Sequence, residues 1–390
     1  MTCHVLFLDA GLGLGGAEHS LLLLLGGLRR SGVHTTVAVL GSGPFQRRLA
    51  ELGVPTVELP LPAALRRASR YRAGRVIRPW VAAASTIGAL RIAALCRRLR
   101  VDLVHTNGLK MHVLGGVGGR LARTPVIWHL RDFPPPGLAG RLVRSGAPRL
   151  ASLVLTNSDA VAASIGGGAR VRRIYNPIDV DRFHPGVSGK RVREALDLGD
   201  APVVAMVAHL TPWKGHEQFL MIAREVVAAL PAARFLVAGG AIYETAGHHG
   251  YEAGLRARAA VLGVDRHVHF LGERDDVPEI LAAADVLLHC PIAPEPFGRV
   301  VAEAMAVGRA VVASRGGGIP EVVDDEGTGI LVPPGDVPRA ARAVLRLLAS
   351  RDLREAFGAA GRRRAVTLFA PPAHTAAVLD AYRSVLERGR

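Results

Sequence analysis

The stretch Glu295-Pro-Phe-Gly-Arg-Val-Val-Ala-Glu303 decides how the rest of this chain is interpreted. Its two carboxylates stand before a Pro-Phe-Gly turn and inside an apolar run that continues to Val307. The run predicts a buried helix beginning near Gly298, and a buried carboxylate such as Glu303 needs a partner. Glu303 would lie in the second turn of that helix, roughly 7–8 Å along its axis. The helix amides would point at the turn and favour phosphate, which together with two carboxylates suits a sugar nucleotide.

A loop-to-helix junction with two solvated glutamates is the alternative, and the sequence that follows argues against it. Residues 303–336 read EAMAVGRAVVASRGGGIPEVVDDEGTGILVPPGD. In this form the segment resembles the retaining glycosyltransferases of family 4, which have the GT-B fold. The resemblance implies that Glu295 contacts the donor sugar and Glu303 binds the ribose. It also implies donor binding by Phe297, Gly298 and Arg299.

Length and composition limit the class of protein. A chain of 390 residues with 49% hydrophobic residues predicts two domains, because single cores stop growing at about 250–300 residues. Three separated cysteines (Cys3, Cys96 and Cys290) predict neither a disulfide framework nor a metal cluster. The start MTCHVLFLDA predicts a buried strand, not a signal peptide, and no apolar run reaches the length of a membrane span. We therefore expect a cytoplasmic protein.

The net charge of +16 is carried almost wholly by arginine, since lysine occurs only at positions 110, 190 and 214. Ten arginines cluster between Arg66 and Arg100. Codon bias with a solvated surface is one interpretation, and contact with an anionic acceptor or with lipid at the inner face of the cell membrane is the other. Nucleic acid is disfavoured as a partner, because aromatic residues are only 5% and no recognition motif accompanies the basic residues.

Short apolar strands alternate with helical segments along the whole chain, the pattern of parallel α/β architecture. The predicted strands are His4–Leu8, Val37–Leu40, Leu103–His105, Val126–His129, Leu153–Asn157, Val203–Val207, Arg234–Ala238, Val268–Leu271, Val286–His289, Ala310–Ala313 and Gly329–Val332. The segment 176–190, rich in Pro, Gly and Asp, is the predicted linker. We expect an acceptor-side domain at 1–180 and a sugar-nucleotide domain at 181–370. The resemblance implies two Rossmann-like domains facing across a cleft, with a C-terminal helix (371–390) that crosses back to the first.

The segment Gly11-Leu-Gly-Leu-Gly-Gly16 fits the dinucleotide-binding pattern G-x-G-x-x-G after a strand. That pattern also requires an acidic residue after the second strand, where this chain has Gly41-Ser42. No nicotinamide or flavin cofactor is therefore expected. The same residues resemble the glycine-rich loop of family 4, which implies that Gly15 and Gly16 face the donor diphosphate and Glu18 the acceptor.

Two further segments carry candidate chemistry. Ala208-His-Leu-Thr-Pro-Trp-Lys-Gly-His216 is similar to a family motif whose lysine binds phosphate, which implies that role for Lys214. His209 stands where many relatives have a phosphate-binding arginine, and a histidine, unlike an arginine, can be neutral at pH 7. His129 ends a predicted strand, where the family has a histidine that reaches the reacting centre, and a merely structural strand-end histidine is the alternative.

Other candidate residues lie at or just after the ends of predicted strands. Asn107, Arg131 and Asp132 lie at strand ends of the first domain and are candidates for contact with the acceptor. Gly239 ends a strand and is a candidate for close approach of the nucleotide. Asp179-Val-Asp181 spells D-x-D but lies in a segment that resembles the family hinge, so no metal is expected.

The resemblance implies a metal-independent, retaining glycosyltransferase that moves a hexosyl or N-acetylhexosaminyl unit from a nucleoside diphosphate sugar, UDP before GDP, to a hydroxyl acceptor. His129, Glu295 and Lys214 are its expected catalytic residues. A sugar-phosphate phosphorylase or sugar-nucleotide epimerase of the same fold, and a non-catalytic binder of anionic surfaces, are the alternatives. The acceptor is not encoded in any motif.

Overall fold

The computed structural model describes residues 3–10, 13–61, 79–166, 170–240 and 250–389, without the side chains of residues 79–82 and 389. The chain divides into two compact units, Met1–Pro177 with Pro371–Arg390, and Ile178–Ala370. The boundary falls within the predicted linker, just before the position expected from the sequence. The arginines from 66 to 78 lie outside the described residues.

The first unit is built on a parallel sheet. Its strands are His4–Leu8 (β1), His34–Val39 (β2), Thr56–Glu58 (β3), Leu103–Asn107 (β4), Val126–Leu130 (β5), Leu153–Thr156 (β6) and Val171–Arg173 (β7). They are ordered β3-β2-β1-β4-β5-β6-β7. The described helices are Gly16–Arg30 (α1), Pro44–Glu51 (α2), Pro79–Leu99 (α3), Leu109–Ala122 (α4), Gly137–Leu150 (α5), Asp159–Ile165 (α6) and, at the end of the chain, Pro371–Leu386, which is called α15.

The core of the first unit lies on both faces of the sheet, because the central strands β4 and β5 are buried at every position and β1 at all but its first. One face is covered by α1 and α15, with Leu21, Leu25 and Val378 packed among strand residues. Gly27 of α1 lies under Thr375 of α15, where a Cβ would come within 2.1 Å of the threonine hydroxyl. The C-terminal helix is thus an integral part of the first unit.

The second unit is built on another parallel sheet, in the order β10-β9-β8-β11-β12-β13. Its strands are Val203–Val207 (β8), Arg234–Ala238 (β9), Val268–Gly272 (β10), Val286–His289 (β11), Ala310–Ser314 (β12) and Ile330–Val332 (β13). Its described helices are Lys190–Ala195 (α7), His216–Ala229 (α8), Tyr251–Val261 (α9), Val277–Ala283 (α10), Arg299–Val307 (α11), Ile319–Val322 (α12), Val337–Ala349 (α13) and Arg351–Phe369 (α14).

The segment that follows the boundary is tied into the second unit by backbone carbonyls. Arg362 of α14 donates through Nη1 to the carbonyl oxygens of Val180, Phe183 and Ala306, at 2.8–3.1 Å. Ile178 N donates to Phe369 O at 2.7 Å. One guanidinium therefore holds the predicted hinge segment against α11 and α14.

The prediction of parallel α/β architecture is confirmed, and each predicted strand is present with both ends within three residues of those expected. Two strands were not predicted, β3 and β7, because each has only three residues and neither is apolar throughout. Helix α1 begins at Gly16, the last residue of the glycine-rich segment. In the described part of the chain, no helix combines the length and the apolar character that crossing a membrane requires.

Candidate active site

In the second unit, two loops leave neighbouring strands where the order of the sheet reverses. β8 pairs with β11 at the centre of the sheet, and the chain continues from β8 to β9 on one side and from β11 to β12 on the other. Ligands of open α/β sheets bind outside the carboxyl ends of the strands at such a point. The loop after β8 carries a short 3-10 helix, Pro212–Lys214, and the loop after β11 carries Glu295.

An ion pair joins these two loops. Lys214 Nζ donates to Glu295 Oε2 at 2.7 Å, and the side chains are only 14% and 10% exposed. Burial raises the pKa of Glu295, but Lys214 and His289 together lower it further, to about 2. The Glu295 side chain is therefore a carboxylate at neutral pH, with a cation already beside it.

His289 is a residue of this site that the sequence analysis missed. It is the last residue of β11, it is buried, and its Nε2 lies 3.4 Å from Glu295 Oε2. Burial lowers its pKa, and the neighbouring Glu295 only partly offsets this, so the imidazole is neutral near pH 7. Its position at the end of an apolar strand, the signal that selected His129, would have identified it.

Two glycines let the backbones of these loops approach closely. Gly215 has φ +83°, and a Cβ there would lie 1.9 Å from Cys290 O. Gly317 has φ +62°, and a Cβ there would lie 2.0 Å from Glu295 O. Gly318 N also donates to Glu295 O at 2.8 Å. Backbone packing thus fixes the positions from which Lys214 and Glu295 extend.

The helix predicted near Gly298 is α11, which begins at Arg299. Gly298 is its N-cap with φ 88°, a left-handed conformation that favours glycine. Glu303 lies in the second turn and is buried. It forms an ion pair with Arg299, whose Nε lies 2.8 Å from Glu303 Oε1. Burial raises the pKa of Glu303 above its ordinary value, although Arg299 lowers it. The buried carboxylate therefore has the partner that its position requires.

Three other predicted donor residues, His209, Gly239 and Phe297, also lie in the second unit. The pKa of His209 is lowered by burial and by Lys214, so this side chain is neutral near pH 7 and does not supply a second positive charge. Gly239 has φ +146°, and a Cβ there would lie 1.9 Å from Ala208 O, so packing alone requires a glycine. Phe297 is buried, and its ring packs edge-on against that of Phe369, with the ring centroids 5.3 Å apart.

In the first unit, polar side chains gather at the carboxyl edge of β1, β4 and β5. Asn107 Nδ2 donates to Asp9 Oδ2 at 2.5 Å, and Arg131 Nε donates to Asn107 Oδ1 at 2.8 Å. Arg131 Nη1 also donates to the Asn176 side chain. Of these, the sequence identified Asn107 and Arg131 but missed Asp9 and Asn176.

His129, the last residue but one of β5, is fully buried within this network. Its Nδ1 lies 3.1 Å from His105 Nε2 and 3.3 Å from Arg131 Nη2. Its Nε2 has no hydrogen-bond partner among the described residues. Burial, followed by Arg131, lowers the pKa of His129 well below its ordinary value, so the ring is neutral.

The remaining predicted residues lie at the surface of the first unit or at the start of α1. Gly15 is the N-cap residue of α1, and its backbone N donates a hydrogen bond to Glu18 Oε2 at 2.8 Å, as in a capping box. Asp132 is exposed and its Oδ1 accepts from Phe133 N at 2.9 Å. Residues 11 and 12 of the glycine-rich segment lie outside the described residues.

The first aspartate of the D-x-D sequence accepts a local backbone hydrogen bond in a turn. Asp179 Oδ1 accepts from Arg182 N at 3.0 Å, and Asp181 is exposed. Within the described ranges, no three His, Cys, Asp or Glu side chains lie close enough together to hold a metal ion.

Two family models match the chain and together span most of it. "Glycosyltransferase Family 4" matches residues 14–182, and "Glycosyl transferases group 1" matches residues 190–364. The two matches correspond closely to the two structural units.

Curated relatives match mainly over part of their length. A GDP-mannose-dependent alpha-(1-6)-phosphatidylinositol monomannoside mannosyltransferase from Mycobacterium tuberculosis is 36% identical over 210 residues, which are 52% of each chain. A D-inositol 3-phosphate glycosyltransferase from Segniliparus rotundus is 32% identical over 305 residues, 75% of this chain and 63% of that one. The chain thus spans about half the length of the mycobacterial relative.

Among solved structures, Anabaena HepE in complex with UDP-glucose matches with a TM-score of 0.84 and 26% identity, over 98% of this chain and 100% of the other. A sucrose-phosphate synthase from Thermosynechococcus elongatus matches in fold with a TM-score of 0.78 and 22% identity, over 99% and 100%. Motifs, family models and fold agree: the chain belongs to glycosyltransferase family 4 and has the GT-B fold.

Proposed function

We propose that this chain transfers a hexosyl or N-acetylhexosaminyl unit from a nucleoside diphosphate sugar to an acceptor hydroxyl, with retention at the anomeric carbon and without a metal ion. The observation that carries the proposal is the buried Lys214–Glu295 pair at the switch point of the second sheet. A cation and a carboxylate held 2.7 Å apart match the two halves of a sugar nucleotide, its diphosphate and its hydroxyl-rich sugar.

The donor would bind in the second unit. Lys214 supplies positive charge to the diphosphate, and the positive end of the α11 dipole favours the same anion. Glu295 accepts hydrogen bonds from sugar hydroxyls, and Glu303 accepts them from the ribose. His209 contributes a neutral hydrogen bond at most, because its pKa is lowered. Backbone groups of Phe297, Gly298 and Gly239 complete the donor site.

In the reaction, the bond between the anomeric carbon and the diphosphate oxygen breaks, and the acceptor oxygen bonds to that carbon on the same face. The acceptor proton passes to the departing phosphate oxygen. Negative charge grows on the diphosphate as it leaves, so Lys214 and the α11 amides act where charge develops. Glu295 and Glu303 hold the donor in position, and no covalent intermediate is required.

The first unit would serve the acceptor and the reacting centre. His129 is the candidate for the reacting centre, and Asn107 and Arg131 form a hydrogen-bonded pair at the same sheet edge. The exposed Asp132 and the cap residue Glu18 are the further candidates for acceptor contact.

UDP is the nucleotide that we propose, because HepE, solved with UDP-glucose, matches 98% of the chain. GDP-mannose is the competing donor, since the mycobacterial relative that is 36% identical over 210 residues is described as dependent on it. The acceptor is proposed only as a hydroxyl compound.

The exposed face of α3 supports contact of the first unit with anionic lipid. Four exposed side chains lie along this face, one or two turns apart: Ile87, Leu90, Arg91 and Arg98. Ile87 and Leu90 are 43% and 55% exposed. Apolar side chains flanked by guanidinium groups suit the boundary between headgroups and acyl chains.

Ligand binding provides the first test. Thermal unfolding of the whole chain is followed with UDP, GDP and ADP, each with and without EDTA, and in the variants Lys214→Met and Lys190→Met. We expect UDP to raise Tm in EDTA, with Lys190→Met behaving like wild type and Lys214→Met losing most of the increase. No stabilisation by any nucleotide would favour the non-catalytic binder.

Product analysis provides the second test. Nucleotide release from UDP-glucose, UDP-N-acetylglucosamine and GDP-mannose is measured with a panel of hydroxyl acceptors, and the anomeric configuration of any product is read by NMR. We expect retention and activity in EDTA. Turnover only with free phosphate would identify a phosphorylase, conversion of the donor without an acceptor an epimerase, and activity lost in EDTA but restored by Mn²⁺ a metal-dependent enzyme.

A further inference from the structure

A chain of buried hydrogen bonds runs from the C-terminal helix to His129. Tyr382 of α15 lies with its hydroxyl 2.7 Å from His105 Nδ1, and His105 Nε2 lies 3.1 Å from His129 Nδ1. All three side chains are fully buried. His129 Nδ1 also lies 3.3 Å from Arg131 Nη2.

The chemistry of the guanidinium fixes the tautomer of His129. Arg131 has only N–H donors, so His129 Nδ1 must present a lone pair to it. The single proton of the neutral His129 ring is then on Nε2. This is the atom that is buried and has no hydrogen-bond partner among the described residues.

The tautomer of His129 fixes that of His105 and the direction of the hydrogen bond with Tyr382. Because His129 Nδ1 accepts, His105 must donate from Nε2–H, which leaves a lone pair on His105 Nδ1. That lone pair accepts a hydrogen bond from the Tyr382 hydroxyl group. Burial raises the pKa of Tyr382 well above its ordinary value and lowers the pKa of His105 well below, so the phenol keeps its proton and the imidazole stays neutral.

His374 of α15 has the opposite tautomer. Its Nδ1 lies 2.7 Å from Tyr175 O, and a carbonyl only accepts, so the His374 proton is on Nδ1. Its Nε2 is therefore a buried lone pair without a partner in the described part of the chain. The His129 and His374 rings stack with centroids 6.0 Å apart.

We propose that Tyr382 and His105 are positioning residues that hold His129 as a neutral Nε2–H hydrogen-bond donor for an oxygen atom of the ligand. In this role His129 donates a hydrogen bond and does not remove a proton from the acceptor. The His374 ring stacked beside it presents a buried lone pair on Nε2. The catalytic consequence rests on the proposed function, whereas the tautomers do not.

The tautomers are tested by NMR of the whole chain with nitrogen-15-labelled histidine at pH 7, assigned through single His→Gln variants. We expect His105 and His129 to carry their proton on Nε2 and His374 on Nδ1, so that His374 serves as the internal contrast. In Tyr382→Phe the His105 Nδ1 resonance should move, because it loses its donor. A proton on His129 Nδ1, or a charged His129, would overturn the proposal whatever the enzyme's activity.

The positioning role is tested by a double-mutant cycle in the transfer assay. Tyr382→Phe should lower kcat roughly 2- to 12-fold with donor KM unchanged, the effect of one lost hydrogen bond. In a His129→Ala background, Tyr382→Phe should cause no further loss, because Tyr382 acts through His129. Equal losses in both backgrounds would mean that Tyr382 serves stability alone. If His129→Ala does not fold, the NMR experiment decides.

Discussion

Replacing Lys214 by methionine should destabilise the second unit measurably, because it leaves the Glu295 carboxylate buried without its cation. The Glu295 side chain is 10% exposed, and its only other charged or titratable contact within 4 Å among the described residues is His289, a neutral ring at 3.4 Å. A buried carboxylate with no cation keeps its desolvation cost and loses its compensation.

The size of the loss follows from the pKa of Glu295. Its value of about 2, against an ordinary 4.5, corresponds to about 3 kcal/mol at about 1.4 kcal/mol per pKa unit. Removing one partner of a buried pair costs a similar amount, about 3–5 kcal/mol. Each kcal/mol lowers Tm by roughly 2–4 °C in a unit of this size, so a loss of roughly 6–12 °C is expected.

The sign of the pH dependence is also fixed. A carboxylate with a lowered folded-state pKa contributes stability that is fully present above 4.5 and is lost as the pH falls toward 2. In Lys214→Met, burial raises the pKa of Glu295 without Lys214 to oppose it, so a falling pH relieves the variant by protonation. The Tm difference between wild type and Lys214→Met should therefore be larger at pH 7 than at pH 3.

Calorimetry of the whole chain measures these differences with two comparison variants. Lys190→Met breaks an exposed pair with Glu194, whose side chains are 79% and 62% exposed, and should change Tm little. Lys214→Met/Glu295→Gln should recover most of the loss, because no buried charge remains. If Lys214→Met lowers Tm no more than Lys190→Met, or if the difference does not change with pH, the buried pair does not stabilise this unit as reasoned.

Three further changes test the site and the surface. Glu303→Ala should raise donor KM in a folded protein, by an amount equivalent to about 1.5–3 kcal/mol for each charge-assisted hydrogen bond lost; an unchanged KM would refute ribose binding. Gly317→Ala should lower stability to urea more than Gly335→Ala, because both glycines have positive φ but only the first would clash with backbone, at 2.0 Å; equal losses would mean that the loop relaxes freely. The chain should sediment with vesicles of anionic lipid and be released by salt, with Arg91→Glu/Arg98→Glu weakening binding; a flat binding curve at physiological salt would instead indicate a soluble acceptor.

The sequence by itself determined the architecture, because apolar runs of four to six residues between helical segments specify buried parallel strands wherever they occur. It also singled out Glu295, Glu303 and Lys214 as candidate site residues, because Glu303 interrupts an apolar run and the other two follow apolar strands. The start of α11 after Gly298 was likewise predicted, because an apolar run to Val307 begins there. The structure adds that Gly298 has a left-handed conformation, which favours glycine.

Only the tertiary structure decided which of these groups meet. Lys214 and Glu295 are 81 positions apart, and their contact depends on β8 and β11 being neighbours in the sheet. Tyr382 lies 277 positions from His105 and reaches it only because α15 packs on the first sheet. Residue patterns along a chain report burial and local conformation, whereas partners, tautomers and pKa values depend on distances that exist only after the elements have packed.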